Sequence, residues 1–168
     1  MPPKIVTSKE LGPTLGLYSH GVVAPAGDLV VVAGQVGMDA AGRLVGPSDA
    51  VAQTRQTFAN IEAVLRAAGC RMRDVIRFQT FLTHASDIDG FMRARREIFP
   101  TYYADGAYPP NTILVVSRLV QPELLVEIEA MAVRPARVAA PRAAKVRAKP
   151  NARRGGSGRR AGARQRRP

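Results

Sequence analysis

Glu127 and Glu129 stand two apart in the apolar run Val126-Glu127-Ile128-Glu129-Ala130, and in an extended strand that spacing turns both carboxylates to one face. A carboxylate held there can take a proton from water as the oxygen adds to an electrophilic carbon. The competing role for such a pair is a solvated acidic strand face. Tyr18 offers a phenolic hydrogen bond or, equally, a core aromatic. His20, two residues on, is a lone imidazole, more often structural than catalytic. Cys70 is the single cysteine; Arg71 and Arg73 flank it, but no base is placed by sequence, so it reads as an idle thiol. The sequence has no cluster with metal-ligand spacing, no phosphate-cradling glycine loop and no nucleophile-base motif. A metal-free site is therefore expected.

These residues need elements to hold them. Residues 21–24 and 29–36 are β-rich and flank Pro25-Ala26-Gly27-Asp28, which predicts an N-terminal hairpin. Leu29-Val30-Val31-Val32-Ala33 is apolar without alternation, which suits a strand covered on both faces. Val51, Phe58, Ile61, Leu65 and Ala68 form a helical stripe that starts after Ser48/Asp49 and stops at Gly69. Residues 75–83 read as a strand. A second helix opens near Ser86/Asp87 with the stripe Ile88, Phe91, Arg95, Phe99, Tyr102, and Pro100 should kink or end it. Strands over residues 112–117 and 125–133 complete the order ββαβαββ. The fold class is α+β, a mixed sheet backed by two helices on one face. The other face calls for self-association.

A chain of 168 residues suffices for one core but not for two ordinary domains. Its net charge of +12 is unevenly spread: twelve Lys/Arg and thirteen Asp/Glu precede residue 134, while thirteen Lys/Arg and no acid follow from there. Residues 1–133 are read as the domain and residues 134–168 as a disordered basic Ala/Arg/Lys/Pro/Gly tail, too poor in apolar groups to offset its ordering entropy. Such a tail can contact nucleic acid nonspecifically, through counterion release, or can simply solubilise the chain. It has no aromatic residues for stacking on bases. The N-terminus lacks the apolar stretch of a secretory signal, and no apolar run is long enough to span a bilayer. No membrane association and a cytoplasmic location are the expectations.

Tyr18-Ser19, Val32-Ala33-Gly34-Gln35, Ala67-Ala68-Gly69 and the run from Val126 to Val133 resemble, in order and spacing, the RidA/YjgF family, also called L-PSP endoribonuclease-like. The resemblance covers roughly residues 9–134. It implies a chorismate-mutase-like fold, assembled as a homotrimer around a central barrel with small-ligand clefts between subunits. It also implies the chemistry of the best-characterised branch, which hydrolyses reactive enamines and imines to 2-oxo acids and ammonia without metal or cofactor. Carried over residue by residue, Glu127 would hold the attacking water. Tyr18, Gly34, Gln35, Asn111 and Ile113 would line the substrate cleft.

The sequence also departs from that pattern. Asn111 stands where the deaminase branch has an arginine that grips the substrate carboxylate, and asparagine offers neutral hydrogen bonds but no charge. Ala33 replaces a frequent serine and Ile113 a cysteine found in some members, which makes the pocket more apolar. Arg118 is a candidate for the missing charge, although it falls at the far end of its strand. The expected function is that of a hydrolase or deaminase of small imines, enamines or related carbonyl compounds. The alternative is a non-catalytic trimer that binds a small metabolite, tethered to nucleic acid by its tail.

Overall fold

The computed structural model describes residues 2–135, and the expected disordered tail lies, from residue 136 on, outside the described residues. The elements are β1 (Lys4–Val6), β2 (Gly21–Val23), β3 (Gly27–Val36), α1 (Ala50–Ala67), β4 (Val75–Leu82), α2 (Ile88–Tyr102), β5 (Asn111–Val115) and β6 (Val126–Pro135). This is the expected α+β order with one short strand added in front.

Local chemistry sets the ends of α1. The Asp49 carboxylate accepts hydrogen bonds from the Val51 and Ala52 amides at 2.9 and 3.1 Å, filling two donors that the first turn leaves open. At the other end Gly69 takes φ +77°. That lets Gly69 N–H donate to the Arg66 carbonyl and Cys70 N–H to the Leu65 carbonyl, the paired bonds of a Schellman cap. Helix α2 runs two residues past Pro100 and then stops.

The main sheet has the order β3-β6-β4-β5, antiparallel except for the parallel β4–β5 pair. Its helix-covered face is built from Phe78, Thr80 and Leu82 of β4 and Val126, Ile128, Ala130 and Ala132 of β6, all buried. Phe58 of α1 is the hub, with its ring centroid 5.5 Å from Phe78 and 5.2 Å from Phe99, both edge-on. Gln53 is buried beside this core and uses both ends of its amide. Its nitrogen donates to the Gly46 and Glu123 carbonyls, and its oxygen accepts from Leu125 N–H, tying α1 to the loop before β6.

Two expectations change. Residues 21–24 do not form a hairpin with residues 29–36: β2 pairs with β1, and β3 pairs with β6 from Gly27 to Val36. β3 is an edge strand, but β2 is taken up by β1, so the Pro25 turn redirects the chain without forming a hairpin. As expected, β3 is covered by this chain on one face only, because both helices share that face; Leu29 and Val31 on the other are 60% and 64% exposed. Finally, β6 continues through Arg134 and Pro135, two residues past the expected domain boundary, with Arg134 pairing to Asp28 at 2.6 Å. Among the described residues no helix is long and apolar enough to cross a membrane.

Candidate functional site

The β3–β6 ladder shifts register between Val32 and Gln35, and the residues displaced there are Ala33 and Gly34. A Cβ on Gly34 would stand 1.8 Å from Glu127 Oε1, so glycine is what lets the carboxylate lie against this backbone. Val36 and Phe81 are the register partners of Glu127 on either side and share its face of the sheet. Burial here, followed by the nearby charge of Glu129, pushes the Glu127 carboxyl above its ordinary range. Among the described residues no cation pairs with Glu127, and a carboxylate made more basic in this way is suited to accept a proton.

A second group of polar residues lies beyond the N-terminal end of β5. Tyr18, Ser19, His20, Arg77, Asn111 and Thr112 line a groove of about 280 Å³. Asn111 opens β5 in register with Phe78. Its Oδ1 accepts the hydroxyl hydrogen of Thr80 at 3.0 Å, and Thr80 is fully buried, so the amide is held in one orientation. The Tyr18 hydroxyl oxygen accepts Leu15 N–H at 3.3 Å. Beneath this segment the buried Arg95 guanidinium donates to the Leu17 carbonyl and lies 4.3 Å from the Phe99 ring centroid. Burial lowers the Arg95 pKa to about 10, and the guanidinium stays charged at neutral pH.

The remaining candidates lie elsewhere. Gln35 is in register with Ile128, and its amide donates back to the Ala33 carbonyl at 3.2 Å. Ile113, the partner of Thr80, packs against the hydrophobic core. Arg118 lies past the end of β5 and donates to the Leu119 and Val120 carbonyls, so it folds onto its own loop and does not replace the charge missing at Asn111. Cys70 is buried, and burial pushes its thiol pKa up, which suppresses the thiolate. Among the described residues, no three His, Cys, Asp or Glu side chains converge as a metal site would need.

One chain thus brings Gly34 to Glu127 and Tyr18 to Asn111, but it does not join the two pairs. Asn111 is in register with Phe78, on the helix-covered face, and Glu127 with Phe81, on the bare one. Arg77 also lines the groove and carried no signal in the sequence: its type and spacing suit any solvated strand position, and alternation with Phe78 turns it to the bare face, where it donates to Gln79.

The family model described as Endoribonuclease L-PSP matches residues 8–134. The chain is 29% identical over 131 residues to the 2-iminobutanoate/2-iminopropanoate deaminase of Escherichia coli K12, a match covering 78% of this chain and 98% of that protein. The crystal structure of a Rid-family protein, YyfB from Yersinia pestis, matches with a TM-score of 0.70 and 35% identity over 79% of this chain and 99% of that one. The YjgF gene product of E. coli matches with a TM-score of 0.58 and 26% identity over 79% and 99%. The mixed sheet, the two helices on one face and the glutamate-bearing last strand all fall within the matched span, and the chain belongs to the RidA/YjgF family.

Proposed function

We propose that this protein hydrolyses small reactive imines or enamines, or related carbonyl compounds, in clefts completed between the subunits of a homotrimer. The observation that carries this reading is the Glu127 carboxylate, rendered basic by burial beside Gly34 on the sheet face that the chain leaves bare. In the first step Glu127 takes a proton from water as the water oxygen bonds to the imine carbon and the nitrogen takes a proton from solvent, giving a carbinolamine. The protonated Glu127 then returns its proton to the amino nitrogen, which leaves as ammonia as the hydroxyl proton passes to solvent and the carbonyl forms. No electrons are exchanged with a cofactor in this sequence. A desolvated carboxylate favours the first step because its charge is better dispersed in the transition state than at rest.

The placement of Glu127 and Asn111 on opposite faces supports a cleft built from two chains. A trimer would also cover the exposed Leu29 and Val31. The relative named as a deaminase of 2-iminobutanoate and 2-iminopropanoate supports these compounds as first substrates to try. Ammonia release from each, freshly generated, should be catalysed by the wild type and lost in Glu127→Gln. Saturable binding of these compounds or their products without turnover would instead establish the metabolite-binding trimer, the reading that Asn111 favours by supplying no charge.

A further inference from the structure

We propose that Arg95 is a positioning residue of the cleft, holding the Leu17–Tyr18 peptide against α2 and through it the Tyr18 phenol. The inference rests on the reading of Tyr18 as a cleft residue of the hydrolase proposed above.

Arg95 is 1% exposed, yet none of the ion pairs among the described residues involves it. Its Nε has no hydrogen-bond partner, and its Nη1 meets only the Met92 sulfur, a weak acceptor, at 3.8 Å. The guanidinium lies 5.4 Å from the Phe91 ring centroid and 4.3 Å from that of Phe99. Those contacts offset only part of what a buried cation loses on leaving water. A methionine would fill much the same space and need no partner. What methionine lacks is the one directed bond that Arg95 makes, from Nη2 to the Leu17 carbonyl.

That carbonyl belongs to the planar peptide unit whose nitrogen is the Tyr18 amide, so fixing it fixes the base from which the Tyr18 side chain rises. Residues 7–20, between β1 and β2, contain no strand or helix. Their other hydrogen bonds are local. Tyr18 N–H and the Thr14 hydroxyl both donate to the Gly16 carbonyl, at 2.9 and 3.2 Å, and Leu15 N–H donates to the Tyr18 oxygen at 3.3 Å. Among the described residues, Arg95 makes the hydrogen bond that ties this segment to a helix. Met92, one turn earlier on α2, approaches Gly16 so closely that a Cβ there would collide with its Cε. Leu17 adds packing against the core, but apolar packing is non-directional and does not orient a peptide. Arg95 is thus a costly core residue whose distinctive contact is with the peptide that carries Tyr18.

Hydrogen exchange, melting and kinetics of the full-length protein test this together. Arg95→Met should speed amide exchange over residues 15–18 by at least about tenfold, leave exchange in α2 unchanged, and keep or raise the melting temperature. In the imine assay Arg95→Met and Tyr18→Phe should each lower kcat/KM by about tenfold. The double variant should lose no more than about twofold beyond either one, because both changes act through one phenol. Arg95→Lys keeps a cationic donor and should recover most of the loss. Unaltered exchange over residues 15–18, a lowered melting temperature with loosened α2, or losses that multiply in the double variant would each overturn the proposal. Wild-type turnover alongside any of these keeps the hydrolase reading and removes only this one. A wild type without turnover removes the hydrolase reading, and the same variants are then compared by calorimetric titration with 2-oxobutanoate. Joint, non-multiplying losses of affinity would uphold the role of Arg95, and a wild type that does not bind would overturn it.

Discussion

In the proposed hydrolase one ionisation, that of Glu127, couples activity and stability. Its carboxyl is held above the ordinary range, chiefly by burial, so the basic form is lost as pH falls through that raised value. The acid limb of kcat/KM should therefore lie above the pH at which an ordinary glutamate titrates, and a pH-rate profile checks this. The stability effect has the opposite sign. The fold binds the proton more tightly than the unfolded chain does, so stability is gained as pH falls from the raised value toward the ordinary one. At neutral pH Glu127→Gln should accordingly abolish turnover and raise the melting temperature, as followed by scanning calorimetry. Gly34 gives a complementary test. Gly34→Ala forces a methyl group onto Glu127 Oε1, so it should lower kcat by at least about tenfold while the circular dichroism spectrum stays unchanged.

Among the elements, α1 is the one whose formation depends most clearly on named local groups. Asp49→Ala removes two hydrogen bonds at its N-terminus and should cost about 1 kcal/mol in urea unfolding at fixed protein concentration. Helix α1 was legible in the sequence because its cap, stripe and stop lie within a few residues of one another. The pairing of β2 was not. A turn signal at Pro25 shows that the chain reverses but does not say which strand receives it, and β6 lies a hundred residues away from β3. The same limit divides the site. Glu127 could be found because strand alternation is local and Glu-x-Glu stands out in an apolar run. The neighbourhood of Asn111, with Arg77 on the next strand and Thr80 locking the amide, depends on how β4 and β5 align. Gln53 was missed for a related reason: a glutamine on a helix reads as solvated until the carbonyls of Gly46 and Glu123 are brought to it.

At the scale of the whole molecule, the bare sheet face and the basic segment make separate predictions. Val31 is 64% exposed in the single chain, and Val31→Lys would set a charge on the apolar face that the proposed trimer would bury. Sedimentation should find this variant shifted to smaller species, with turnover reduced in proportion. The basic segment is expected to govern any nucleic-acid binding, because the residues before it are nearly balanced in charge. Ending the chain after Pro135 should abolish salt-sensitive binding to DNA and RNA in a filter assay and leave imine hydrolysis intact. Residual binding by the shortened chain would assign a nucleic-acid surface to the domain itself.

The opposite-face placement of Glu127 and Asn111 also has a genetic consequence. If each cleft borrows its glutamate from one chain and its groove from the next, two inactive alleles can repair each other. Glu127→Gln subunits retain an intact Asn111 and Asn111→Ala subunits an intact glutamate. Unfolding the two together and refolding them at equal ratio would, with random assortment in a cyclic oligomer, leave about a quarter of the clefts wild type in both halves. Complementation at that level between two defective copies would show that the unit of function is the junction and not the chain.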